Sequence, residues 1–225
     1  LHGAAGKQGA RDAWEKSFAA FQAREHSKQR EERNRKRMGA LIGKRHAFLE
    51  SMTYISGERE IKSRGKVCLG LHGYEIQLTE LLFEGVLDQA DPPALCGLVA
   101  GVIHESRRRE EFSSHALKPM RGLLRSARRA INYANEMEVA AGLQGSLKNI
   151  DEAMVPAIYE YAMGRTFEDM GGFTNAAPGD FVRVARMVVQ YLRHLQKVCR
   201  QSGMDKLHDC AGEATKLIYR GPVDV

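Results

Sequence analysis

The chain has 225 residues, of which 43% are hydrophobic and 28% are charged, and its formal net charge is +6. This length is sufficient for one hydrophobic core or two modest ones. The composition is that of a globular protein and argues against wholesale disorder and a collagen-like structure. The apolar runs fall far short of the roughly 20 residues that a membrane-spanning helix needs, so we predict a soluble protein with no membrane partner.

The four cysteines are widely spaced and include no CxxC pair, so we expect reduced thiols in the core. His208, Asp209 and Cys210 come closest to a metal-ligand cluster, but three consecutive residues of a helix point in different directions. We therefore predict no metal site. The chain begins with leucine and shows no signal segment, which favours an internal or C-terminal piece of a longer protein.

Most of the positive charge lies in one segment. Residues 24–45 contain nine Lys or Arg and three Glu, a net charge of +6, whereas the 25 basic and 25 acidic residues elsewhere cancel. Such a run is either a solvated linker or an arm that binds phosphates. The candidate phosphate-binding residues of this basic arm are Arg30, Arg33, Arg35, Lys36 and Arg37.

The first 72 residues divide into two predicted segments. Residues 1–40 are expected to form a polar and basic connector helix, on which three aromatic side chains make a short apolar face. Residues 41–72 are expected to form a helix followed by a small hairpin, because the stretch 58–71 is strand-like and has breaks at Gly65 and Gly70. A short helix followed by a hairpin is what remains of a winged-helix module that runs into a following domain.

From residue 73 to residue 225 the apolar spacing is helical almost throughout. This pattern predicts a mainly α fold in which antiparallel helices form a bundle. The stretch Leu95–Ile103 is apolar on every side, so its helix is expected to be central. The predicted helices cover residues 77–87, 93–106, 118–139, 154–163, 167–170, 178–201 and 205–219.

The helix predicted over residues 178–201 has two unlike faces. Its apolar residues step by four and three positions, which keeps one narrow stripe toward the core. A mostly basic stripe repeats the same rhythm about 200° around the helix axis, so the core does not need it. The apolar stripe consists of Phe181, Ala185, Val188, Leu192, Leu195 and Cys199, and the basic stripe of Arg183, Arg186, Gln190, Arg193, Lys197 and Arg200.

The sequence contains no recognisable catalytic motif. A GxxxxGK[ST] phosphate loop, a HExxH metal pair, a GxSxG nucleophile and a GxGxxG fingerprint are all absent. Glu105 follows the apolar helix and precedes three arginines that begin with Arg107. Its carboxylate has two interpretations, as a member of a surface ion-pair cluster or as a group that recognises a nucleic-acid base.

Five short segments stand out as motifs: 17–22 (SFAAFQ), 54–67, 77–86 (QLTELLFEGV), 158–164 (IYEYAMG) and 178–183 (PGDFVR). Taken in order over about residues 17–220, they resemble the C-terminal helical-bundle domain, the DSHCT domain, of exosome-type and bacterial or plastid DExH-box RNA helicases. Tyr161 stands where the family commonly has tryptophan, and Met187 where many relatives carry a basic residue.

The resemblance implies a bundle that stacks on two RecA-like motor domains and closes a channel for single-stranded nucleic acid. Those motor domains are absent from this sequence and would bind ATP and magnesium, so no cofactor and no catalytic residue is expected in this chain. By motif, the implied contacts with nucleic acid are Glu105, Arg183 and Arg186. Arg107, close to Glu105 in the sequence, and Arg193 and Lys197, on the basic stripe, are the further candidate residues. Phosphate contacts alone do not distinguish RNA from DNA.

We therefore expect the RNA-channel or ratchet domain of an ATP-dependent RNA helicase. Its implied partners are single-stranded RNA, the motor domains of the same parent protein and a larger ribonucleoprotein. The alternative is a motor-less structural or RNA-binding component of a ribonucleoprotein. DExH and GK[ST] motifs encoded upstream of Leu1 would favour the helicase, and translation that starts near Leu1 would favour the alternative. Either function places the protein inside the cell, in the bacterial cytoplasm or an organelle rather than the nucleus.

Overall fold

The computed structural model describes residues 2–57, 60–106 and 110–224, with side chains from residue 14 onward. Within these residues strand pairing is limited to two isolated bridges, so the prediction of a mainly α helical bundle is confirmed. No helix in the described part combines the length and the apolar character that crossing a bilayer requires. The α-helices are α1 (His2–Ser51), α2 (Ser63–Gly70), α3 (Glu75–Phe83), α4 (Pro92–Ile103), α5 (Arg121–Ala140), α6 (Val155–Ala162), α7 (Pro178–Ser202) and α8 (Asp205–Ile218).

Helix α1 is longer than the sequence predicted. The connector helix expected over residues 1–40 and the short helix expected after residue 40 form one continuous helix, His2–Ser51. A glycine inside a helix costs only about 1 kcal/mol relative to alanine, which is too little to end a helix that the surrounding long side chains favour. The chain divides into two compact units, Leu1–Ala47 and Phe48–Val225, and the division falls inside this helix.

The hairpin predicted over residues 58–71 is wrong. Most of this segment is α2, and one isolated antiparallel bridge precedes it. Val67 and Leu71 are buried, whereas Leu69 between them is 67% exposed. An interval of four residues is the spacing of a helix face, while a strand would have buried all three side chains on one side. The apolar residues of this segment belong to one face of a helix. Gly65 and Gly70 looked like the ends of a short strand, and this made the segment resemble a hairpin.

A buried carboxylate holds α2 in place. Glu80 of α3 is fully buried and accepts two hydrogen bonds of 2.6 Å, from the Tyr54 hydroxyl and from Nη1 of Arg64. A Cβ on Gly65 would lie 2.4 Å from the carbonyl oxygen of Tyr54, so a glycine is needed where α2 meets the turn after α1. Glu80 thus joins α3 both to α2 and to the turn after α1.

Helix α4 lies at the centre of the second unit, packed against α6, α7 and α8. Every residue from Leu95 to Ile103 is buried, as the apolar character of this stretch predicted. Asp91 caps the helix by accepting a hydrogen bond of 2.9 Å from the amide of Ala94. Two prolines occupy the first turn, where a backbone N–H has no partner inside the helix.

The other predicted helices are confirmed, with ends that differ by a few residues. The helix expected from residue 118 begins as a short 3₁₀ turn, Lys118–Met120, and continues as α5. Helix α7 ends where Gly203 adopts a φ of 68°, a left-handed conformation that suits glycine. The four cysteines are free thiols, buried or half-buried.

Candidate nucleic-acid interface

Helix α7 carries the two faces that the sequence predicted. All six residues of the apolar stripe are buried, and all six of the opposite stripe are exposed. The helix packs mainly against α8 and α4, so its buried side serves the core of the second unit. The basic side is therefore not needed by the core.

A tight turn between α2 and α3 lies against α7. Gly73 and Tyr74 both have left-handed backbones, with φ of 77° and 54°. A Cβ on Gly73 would lie 2.3 Å from the Tyr191 hydroxyl of α7, so the close approach requires glycine. The rings of Tyr74 and Tyr191 meet edge to face with centroids 6.1 Å apart. This turn fixes the position of Tyr74 beside α7.

Tyr74 connects this turn to Glu105. Its hydroxyl donates toward the carbonyl oxygen of Ile103 at 3.0 Å and Oε1 of Glu105 at 3.2 Å. Burial, followed by the negative charge of Glu105, raises the pKa of Tyr74 to about 12. The phenol is therefore protonated at neutral pH and holds the carboxylate in place. Arg107, the predicted neighbour of Glu105, lies outside the described residues.

Lys148 adds a cation beside the same ring. Its Nζ lies 5.4 Å from the centroid of the Tyr74 ring and donates a hydrogen bond of 3.3 Å to the carbonyl oxygen of Val102 in α4. Burial lowers the pKa of Lys148, and the charges of Glu105 and Asp151 oppose that shift. Asp151 also accepts a hydrogen bond of 2.6 Å from the amide of Ser106, which fixes the backbone just after Glu105.

Arg183 of α7 adds a positive charge that acts on Tyr74. This charge lowers the pKa of Tyr74 against the larger effects of burial and of Glu105. The Arg183 side chain is 52% exposed, and its Nε lies 3.5 Å from Oδ1 of Asp180. Exposed pairs of this kind contribute little, so a phosphate can compete for the guanidinium. Glu105, Tyr74, Lys148 and Arg183 form what we call the α7 head cluster.

The chain's own C-terminal segment engages two of the predicted RNA contacts on α7. Nη2 of Arg186 donates to the carbonyl oxygen of Pro222 at 3.0 Å, and the Arg193 guanidinium lies 5.2 Å from the centroid of the Tyr219 ring. Both arginines line a groove of about 290 Å³. Lys197 is exposed about one turn beyond Arg193. The sequence could not separate these side chains from Arg183, because all of them belong to one exposed stripe.

The basic arm lies in the first unit, on α1. Nη2 of Arg35 and Nζ of Lys36 lie 2.8 Å and 3.6 Å from the carboxylate of Glu32. Arg30 and Arg37, by contrast, have no hydrogen bond or ion pair with another residue in the part of the chain that the structure describes. The arm therefore contains both paired and unpaired cations.

Sequence analysis missed Tyr74, Lys148 and His194. Lys148 lies in an irregular segment, where no periodicity marks it. His194 follows Arg183 on α7 through residues 187 and 190, at intervals of four, three and four. This spacing could have placed His194 on the same side of the helix as Arg183. The Nδ1 of His194 is buried without a hydrogen-bond partner among the described residues. Burial, followed by the charges of His72 and Lys197, lowers the pKa of His194.

Comparison with known proteins identifies related chains. The family described as the DSHCT (NUC185) domain matches residues 58–225. Human Superkiller complex protein 2 is 23% identical over 176 residues, and the DExH-box ATP-dependent RNA helicase DExH10 of Arabidopsis thaliana is 23% identical over 181 residues. The Antiviral helicase SKI2 of Saccharomyces cerevisiae is 24% identical over 185 residues. These alignments cover 76% to 79% of this chain and 14% to 18% of the relatives, so the chain spans less than a fifth of their length.

Proposed function

Because the chain belongs to the DSHCT domain family, we propose that it is the RNA-gripping C-terminal domain of an ATP-dependent RNA helicase. In this proposal the Phe48–Val225 unit holds single-stranded RNA, while RecA-like motor domains elsewhere in the parent protein hydrolyse ATP. The α7 head cluster carries the proposal. It puts one carboxylate, one tyrosine and two cations beside a helix whose other face is committed to the core.

Arg183 and Lys197 supply the contacts with phosphate. Fourteen residues separate them, so they stand about 21 Å apart along the helix axis and within about 40° of each other around it. That distance accommodates several nucleotides of an extended strand. Contacts with phosphate are independent of base sequence, as a protein that moves along RNA requires.

Glu105 supplies the contact with a base. A carboxylate accepts a hydrogen bond from an exocyclic amino group, such as that of cytosine. Tyr74 already donates to Glu105, and Lys148 lies beside Tyr74. The carboxylate is therefore ordered before a base binds, which reduces the entropy cost of binding. A base held here, next to phosphates held along α7, resists backward slippage of the strand between successive motor steps.

Arg183→Ala tests this function. We expect the variant to bind a labelled single-stranded RNA about two- to fivefold more weakly, the range of one exposed ionic contact. The slope of log affinity against log salt should fall by about 0.7, because one phosphate contact is lost. Fluorescence anisotropy over a series of salt concentrations measures both quantities. The free energy of unfolding should change by less than about 0.5 kcal/mol, since the side chain is exposed.

Two variants control this experiment. Arg200→Ala removes the same charge from the last turn of α7, about 100° around the axis from Arg183, and should leave RNA binding unchanged. Leu192→Ala truncates a fully buried side chain and should lower the unfolding free energy by about 2 to 5 kcal/mol. The Leu192→Ala variant shows how much RNA binding is lost when the protein is destabilised and its surface charges are unchanged. Equal losses in the Arg183 and Arg200 variants would contradict a specific role for the head cluster.

A further inference from the structure

A second basic groove lies along the first half of α5, outside the α7 head cluster. It has a volume of about 330 Å³ and is lined by residues that include Phe112, Ser114, Arg121, Arg125, Arg128 and Glu152. With three arginines and one glutamate among these residues, the groove is strongly positive. Nothing in the fold of the bundle requires this charge, because α5 packs through Leu124, Ala127 and Ile131.

The three arginines face the groove together. At intervals of four and three residues they lie within about 60° of the helix surface. Two of them are held by the protein, since Nη2 of Arg121 donates to the carbonyl oxygen of Ser114 at 3.4 Å and Arg128 lies 2.7 Å from Oε1 of Glu152. Arg125, between them, is exposed and has no hydrogen bond or ion pair with any described residue. The Arg125 guanidinium can therefore bind a ligand, and the guanidinium groups on either side of it are held in position by the protein.

This combination fits the backbone of single-stranded RNA. Guanidinium groups bind phosphates through two parallel hydrogen bonds, which a planar fork makes possible. Phe112 is half-buried at the edge of the same groove and offers an aromatic surface on which a base can stack. An acidic peptide would match the charge of the groove but would leave this stacking surface unused.

One short segment links the groove to the α7 head cluster. Glu152 pairs with Arg128 in the groove, and Lys148, four residues earlier, lies over the ring of Tyr74 in the cluster. Four residues of extended chain span at most about 14 Å, so the backbone positions of Lys148 and Glu152 are close to each other. Asp151, between them, fixes the backbone that follows Glu105.

We propose that the α5 groove is a second binding site for single-stranded RNA and takes the part of the strand that extends past the head cluster. The position of this site in the RNA path rests on the proposed function of the head cluster, whereas phosphate binding in the groove does not. The groove lengthens the grip of the domain without contributing chemistry. RNA long enough to fill both sites is bound more tightly than RNA that fills one.

Arg125→Gln, made in the full chain, tests the groove. Arg129→Gln is the matched control, because it removes the same charge from an exposed side chain one turn along α5 but outside the groove lining. Each variant is titrated with single-stranded RNA of about six and about 15 nucleotides, lengths within the span of known single-strand sites. Arg125→Gln should weaken binding of the longer RNA by about two- to fivefold and lower its salt slope by about 0.7. The shorter RNA and the control variant should be unaffected, and melting temperatures should not change.

Other outcomes separate the two proposals. Unchanged binding of the longer RNA by Arg125→Gln would overturn the groove site, and so would an equal loss in Arg129→Gln. An Arg183→Ala variant that loses affinity for both RNA lengths supports the head cluster independently of this result. If Arg183→Ala has no effect while Arg125→Gln does, the groove binds RNA and the proposed function fails. Polyglutamate that binds in an Arg125-dependent way, when RNA does not, would show that the occupant is an acidic chain.

Discussion

At the scale of single residues, the second unit depends on a carboxylate that has no access to solvent. Glu80 accepts hydrogen bonds from Tyr54 and Arg64, and Arg64 also reaches Glu84 at 3.2 Å. Burial and the charge of Glu80 raise the pKa of Tyr54 well above its ordinary range, so this phenol donates at every physiological pH. Three consecutive segments, the turn after α1, α2 and α3, therefore meet at one charge.

Glu80→Gln should lower the free energy of unfolding by about 2 to 3 kcal/mol. Removing one partner of a buried ion pair leaves the other charge uncompensated, which typically costs about 3 to 5 kcal/mol. We expect a smaller loss here because Arg64 still pairs with Glu84. Urea unfolding followed by circular dichroism measures the change. Glu84→Gln is the control and should cost less than about 0.5 kcal/mol, since Glu84 is 46% exposed. Equal effects of the two substitutions would show that burial of Glu80 does not matter.

The ionisation of Tyr74 reports on Glu105. Its pKa of about 12 lies above the ordinary value of 10.0, so the folded state holds this proton more tightly than the unfolded state. The resulting stabilisation is complete below pH 10 and is lost as the pH rises from about 10 to about 12. We expect Glu105→Gln to lower the pKa of Tyr74 but to leave it above 10.0, because burial is the larger cause.

NMR of tyrosine labelled with ¹³C at Cζ measures this titration, and Tyr74→Phe assigns the resonance. A pKa that Glu105→Gln leaves unchanged would show that the carboxylate and the phenol are not in contact in solution.

At the scale of elements, α1 and α7 carry their basic residues in different ways. On α7 the core occupies one side and the cations are confined to the other. On α1 the cations are distributed around the helix. Arg30, Arg33 and Arg37 lie within about 60° of the surface, whereas Arg35 and Lys36 point elsewhere and pair with Glu32. An arm that binds phosphates would use the first set.

The basic arm can be tested against a solvated linker. Replacing Arg30 and Arg37 together by Gln should lower the salt slope of single-stranded RNA binding by up to about 1.4, or about 0.7 for each phosphate contact. Replacing Arg35 and Lys36 by Gln removes the same net charge but takes cations that are already paired, so the slope should fall less. Affinity of the parent chain that stays flat between low and physiological salt would favour the solvated linker.

At the scale of the whole molecule, the proposed function assigns this chain the binding of RNA and assigns ATP hydrolysis to other domains of the parent protein. We expect the purified protein to show no ATP hydrolysis, with or without RNA, because its sequence has no phosphate loop and no carboxylate pair to hold magnesium. A phosphate-release assay with saturating single-stranded RNA measures this. RNA-stimulated turnover that persists through a second purification step would contradict the prediction and would require a nucleotide site that the motifs do not show.

Local periodicity let the sequence alone determine the helices from α3 to α8 and the two faces of α7. Burial of a residue such as Leu192 follows from its neighbours four and three positions away, so no distant contact is needed to predict it. Glu105 and Arg183 were found as well, the first from its place at the end of an apolar helix and the second from its stripe. Their role in binding nucleic acid is a proposal in both cases.

The tertiary structure decided which of these residues meet. Arg183 and Arg186 are equivalent in the sequence pattern, yet the charge of Arg183 acts on Tyr74, whereas Arg186 donates a hydrogen bond to the carbonyl oxygen of Pro222. Helix α2 is joined to the following helix by Glu80, which accepts a hydrogen bond from Arg64. Lys148 lies outside the helices, so no helical spacing in the sequence marks it. Contacts between residues far apart in the chain depend on how the helices pack, and a pattern that repeats every three or four residues carries no information about that packing.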